Sequence, residues 1–169
     1  FMRKSLITLS LLCLTWLTAY NQDRTEAIRN QKIDAMKNLS FMEGTWKGTG
    51  WAQLEDGSKE AFEVHETIQK KLNGLVYLIE GLGTTRDTVT HNAIALITWD
   101  PVKGKYSFES HTFDGRSADA TAVLEGDKFT WGFDIPGGGK VRYDMKIIED
   151  NKWNEKGFYS PDGETWYPI

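Results

Sequence analysis

The stretch Gly44-Thr45-Trp46-Lys47-Gly48-Thr49-Gly50 constrains this chain most. On an extended strand, alternate residues share a face, so one face here carries a single tryptophan among glycines. Such a strand suits the opening of a small closed β-barrel: the indole plugs one end, and the glycines let the strand coil while leaving its inner face open. From Thr45 onward, turn signals recur roughly every ten residues, among them Asn73-Gly74, Asp114-Gly115, Pro136 to Gly139 and Pro161-Asp162-Gly163. Asn-Gly and Asp-Gly supply the positive φ values of tight hairpins, and tight hairpins force antiparallel neighbours. The spacing predicts an all-β, up-and-down barrel of about ten strands, a topology that removes exposed edges by closing.

One domain fits a chain of 169 residues, and 12% aromatic content with seven Trp is enough for a packed core. The net charge is −4, and removing Arg3 and Lys4 with a leader takes it to −6. With no basic cluster, an acidic surface argues against nucleic acid as a partner.

Residues 1–19 have the pattern of a signal peptide: Met2-Arg3-Lys4 is charged, Leu6 to Leu17 is apolar, and Thr18-Ala19 is small enough for cleavage. The run is too short and hydroxyl-rich for a membrane span. It predicts export to the periplasm or beyond. Cys13, the one cysteine, lies inside it; lipidation there is disfavoured by Leu12, where a small residue is wanted. Residues 20–40 form a helical arm, with Ile28, Ile33, Met36 and Leu39 at helical spacing between Gln22 and Leu39. Residues 41–169 make the barrel. Its last strand, Glu164 to Ile169, is short for one that must pair with the first, which predicts a truncated C-terminal strand and a weak seam.

Alternation assigns faces. Phe129, Trp131 and Phe133 form one apolar row, Val141, Tyr143, Met145 and Ile147 another, and Tyr106 and Phe108 a third. Leu75 to Leu82 is apolar on both faces, as expected of a strand covered by the helical arm or facing a partner.

Several segments resemble the lipocalin-like, calycin-type secreted barrels related to the nitrobindins. They are residues 44–50, Leu-Ile-Glu-Gly-Leu-Gly (78–83), His-Asn-Ala-Ile-Ala-Leu-Ile-Thr-Trp-Asp-Pro (91–101), Asp-Gly-Arg-Ser-Ala-Asp-Ala (114–120), Trp-Gly-Phe-Asp-Ile-Pro-Gly-Gly (131–138), Trp-Asn-Glu-Lys-Gly (153–157) and Ser-Pro-Asp-Gly-Glu-Thr-Trp (160–166). The resemblance spans most of 41–169. It implies a ligand-binding barrel with no settled activity. Nitrobindins share the Gly-x-Trp-x-Gly-x-Gly opening and hold haem through a histidine near the C-terminus. No histidine follows His111 here, so haem is disfavoured and no cofactor is predicted.

Three histidines are present. His65 and His111 share polar faces and read as solvent-facing. His91 begins a face of small residues ending in Trp99, which suits a cavity ligand or proton donor. Glu66, Glu80 and Glu155 fall among apolar neighbours. An inward carboxylate must be paired, protonated or functional, because an isolated buried charge is costly. Pro136 to Gly139 joins two strands without a following helix, which excludes a phosphate loop. There is no Gly-x-Ser-x-Gly and no catalytic motif.

The resulting expectation is a barrel that binds a small apolar or aromatic molecule. Trp46, Trp99, Trp131 and Trp153 are its candidate walls, and Glu80, His91 and Glu155 its candidate polar groups. Two alternatives stand beside it. One is an isomerase or hydrolase using a cavity Glu/His pair; the other is a filled barrel that works through its outer surface.

Overall fold

The computed structural model describes residues 22–54 and 56–169. The expected leader at residues 1–19, with Cys13, lies outside the described residues. A helix of 16 residues, α1 (22–37), leads through a 3-10 turn at Ser40–Met42 into ten strands. These are β1 (Gly44–Gln53), β2 (Lys59–Lys71), β3 (Val76–Thr85), β4 (Thr88–Asp100), β5 (Lys105–Thr112), β6 (Ser117–Glu125), β7 (Lys128–Asp134), β8 (Lys140–Glu149), β9 (Lys152–Ser160) and β10 (Tyr167–Pro168). Every strand pairs antiparallel with its neighbours in chain order, and the meander curls into a half-barrel.

The ladder is open: β1 and β10 stand at its two ends, unpaired with each other among the described residues. β10 contributes only Tyr167 and Pro168, extended by the Ile169 amide donating to the Gly157 carbonyl at 3.0 Å. The sheet nevertheless curls far enough for inner side chains from its two ends to meet. Trp46 of β1 and Trp153 of β9 pack edge to face with ring centroids 6.1 Å apart. Side chains rather than backbone bonds therefore bridge the seam at this level.

The end where β1 begins is filled. Met36, Leu39 and Met42 are buried there against Ile68, Tyr77, Ile97, Tyr106 and Phe129. Only the last turn of α1 sinks into the sheet; Ile28, one of the expected apolar contacts, is exposed. The Tyr106 hydroxyl donates to the Ala35 carbonyl at 2.8 Å, and the Trp46 indole N–H donates to the Met42 carbonyl at 2.8 Å. The Ala35 carbonyl also accepts from the Asn38 N–H at 3.2 Å, so the tyrosine adds a second bond at the helix end.

Two expectations about faces need correction. The inner face of β1 is not left free, because the Phe62 ring of β2 takes the space: a Cβ placed on Gly50 would lie 2.5 Å from its Cζ. In β3 the inward row is Tyr77, Ile79, Gly81 and Gly83, each buried, so Glu80 points outward and is exposed. With apolar residues on both faces, alternation alone left the parity of that strand undetermined. Its outer face is not covered by α1: Leu82 is exposed, as are Ile94 and Leu96 on β4 beside it.

Candidate functional site

Above the filled end, the inner face changes character. Ala120 and Ala122 of β6 are small, and they lie opposite Phe108 of β5 and Trp131 of β7 respectively. Rings from the flanking strands can therefore meet across β6. Phe108 stacks on Trp131 at 4.2 Å, and Tyr143 of β8 stacks on its other side at 4.3 Å. With both indole faces occupied, Trp131 presents its N–H edge, which donates to Glu155 Oε1 at 2.9 Å.

Glu155 is surrounded by protein yet open to water, as a side chain lining an accessible interior is. Burial raises its pKa above the usual carboxylate range, partly offset by the Trp131 hydrogen bond. Glu66 of β2 faces it from across the sheet. Glu66 lies directly opposite Trp46 on β1 and Gly81 on β3. A Cβ on Gly81 would sit 3.6 Å from Glu66 Oε1, so the glycine leaves the carboxyl room. Desolvation, and then the charge of Glu155, raise the Glu66 pKa to about 7. Tyr143 is raised in turn by burial and by Glu155.

The two carboxyls adjoin the indole pair that bridges the seam. Trp46 is the cross-strand neighbour of Glu66, and Trp153 lies two residues before Glu155 on the same face. The site thus brings Trp46, Trp131, Trp153 and Glu155 together and adds Glu66, Phe108 and Tyr143. Phe108 and Tyr143 are inward, as alternation predicts. Glu66 stood out only as a carboxylate between Val64 and Ile68.

The other expected residues lie elsewhere. Trp99 belongs to the filled end, edge to face with Tyr106 at 4.8 Å. Glu80 is outside. His91 occupies an inward position at the opposite, upper end, across from Gly83, where a Cβ would approach its own Cβ to 3.0 Å. Desolvation and then Arg116 lower its pKa, while Asp114 opposes them. Arg116 is itself held by Asp114 at 2.7 Å in the β5–β6 turn. Two glutamates are brought together here, rather than a glutamate and a histidine. His65 and His111 are exposed on the outer face, as expected.

A separate groove of about 620 Å³ opens at the β1–β2 and β3–β4 hairpins, lined by Phe62, Glu63, Thr84 and Arg86 among others. None of the candidate residues lines it. Among the described residues, no group of three or more His, Cys, Asp or Glu side chains converges to hold a metal ion, and no helix is long and apolar enough to cross a membrane. No protein-family model matches the chain, and no curated protein matches it.

Proposed function

We propose that this protein is an exported, lipocalin-like barrel, related to the nitrobindins, that binds a small aromatic or hydrophobic molecule in its interior. The observation that carries the reading is the Trp131–Glu155 hydrogen bond inside a three-ring stack, on a wall that water reaches. Aromatic walls give area-driven affinity, and one oriented carboxylate sets the direction of a bound molecule. Native mass spectrometry of the purified protein, with an organic extract of the same sample, tests this. A co-purifying aromatic or lipid species supports the carrier and names its cargo. A clean protein mass and an empty extract count against tight carriage. The export part rests on the leader at residues 1–19, and N-terminal sequencing of the protein recovered from the periplasm or medium tests it.

A second reading, a small-molecule isomerase or hydrolase, is favoured by Glu66. A carboxyl that titrates at about 7 beside a second carboxyl is suited to giving and taking protons near neutral pH. In that case Glu66 and Glu155 replace the expected Glu/His pair. Turnover that follows the ionisation of Glu66 and is lost in Glu66→Gln separates this reading from simple carriage.

A further inference from the structure

The balance of charge inside the half-barrel goes one step further. Between the filled end and the mouth, the inward positions of the strands carry two charged side chains, Glu66 and Glu155, and no lysine or arginine. The nearby cations are engaged elsewhere. Lys70 pairs with Glu43 at 2.8 Å beside the filled end, and Arg116 pairs with Asp114 at the mouth. Arg142 is turned to the outer face, over the rings of Phe158 and Trp166. The groups acting on Glu66 are therefore its own desolvation and the opposing carboxylate, and Trp131 gives Glu155 a neutral donor only. When both carboxyls are ionised they repel each other, and the described residues place no compensating charge between them.

We infer that the ligand supplies that charge: it is an organic cation, such as a protonated amine on an aromatic body, with its cationic end between Glu66 and Glu155. The inference rests on the proposed reading of the interior as a ligand site. An ammonium bound there lies beside the Trp46–Trp153 indole pair, where ring quadrupoles attract a cation, while the aromatic body packs on the wall. With no third ligand among the described residues, two carboxylates make a poor cage for calcium or magnesium, which take six or more oxygens. They also fall short for zinc, which takes three or four protein ligands, so an organic cation fits better.

Three probes of nearly one shape and different charge test this: tryptamine, tryptophol and indole-3-acetate, each titrated calorimetrically into the full-length protein at pH 8. Tryptamine is expected to bind at least about tenfold more tightly than tryptophol, with indole-3-acetate the weakest. Glu66→Gln and Glu155→Gln, each checked for folding by circular dichroism, are expected to remove most of tryptamine's advantage and leave tryptophol unchanged. Tryptophol binding as tightly as tryptamine overturns the cation inference and leaves the carrier intact. Failure of all three to bind overturns the cation inference, and the co-purification experiment then decides the carrier reading. If one variant does not fold, the other and the probe series on the unaltered protein still decide the question.

Discussion

The two ends of this half-barrel face the same problem, an inner surface to be taken out of water, and solve it differently. At the end closed by α1, the space is filled with side chains: Tyr77, Phe129 and Ile97 are each 0% exposed, and the helix contributes Met36 and Leu39. Further up, the inner face is made of Gly48, Gly81, Ala93 and Ala120 beside a few large rings and two carboxyls. Both regions use the same alternating strands. The difference lies in residue volume. A region packed to crystal-like density resists change, whereas one lined with small residues has room for a guest.

The largest expected effect lies at the filled end. Phe129→Ala removes a wholly buried ring from a region without slack, and a loss of about 3–5 kcal/mol is expected by urea denaturation. A loss below about 1 kcal/mol would show that the two ends are equally loose, and the comparison would fail.

Next comes a change of opposite sign. Glu66 is raised from its usual 4.5 to about 7 in the folded protein, so the folded state holds the proton more tightly than the unfolded chain. Its contribution to stability is full below about 4.5 and is lost as pH rises through about 7. Glu66→Gln is therefore expected to stabilise the protein at pH 8, by on the order of 2 kcal/mol after allowing for partial exposure, and to have little effect at pH 4. Thermal melts of both proteins across that range measure it. An equal effect at both pH values would mean that the carboxyl is not held in an enclosed, charge-poor interior.

Smaller effects sharpen the contrast. Tyr106→Phe deletes the hydroxyl that holds the Ala35 carbonyl and is expected to cost about 1 kcal/mol. Trp131→Phe keeps a ring between Phe108 and Tyr143 but removes the donor to Glu155. The Glu155 pKa should then rise further, as read by carboxyl-carbon NMR during a pH titration. Last, His91→Ala at the mouth should change stability by less than about 0.5 kcal/mol and leave ligand retention unchanged, because His91 lies away from Glu66 and Glu155. A reduced ligand load in that variant would extend the site to the mouth.

Much of the fold was legible from local signals. Asn73-Gly74 and Asp114-Gly115 marked hairpins because only a few residue types take the backbone angles those turns need, and short turns leave antiparallel pairing as the one outcome. The inward rows of β7 and β8 were readable because their opposite faces are polar: Lys128 and Thr130 against Phe129 and Trp131 allow one register. β3 defeated the same logic. Val76, Leu78 and Leu82 compete with Tyr77 and Ile79 for the interior, and Glu80 followed the wrong row.

The chain by itself determined its strands, their order and most of their faces, because turn chemistry and two-residue alternation act between residues close in sequence. Only the tertiary structure decided three things: that the sheet curls without pairing its ends, that Trp46 meets Trp153 across the gap, and that Glu66 faces Glu155. Glu66 and Glu155 lie on β2 and β9, far apart along the chain, and no local pattern couples them. Their proximity, and the pKa shift that follows from it, depend on how strongly the sheet coils. That coiling is set by the packing of every inner side chain at once, glycines and alanines included, and not by any one segment.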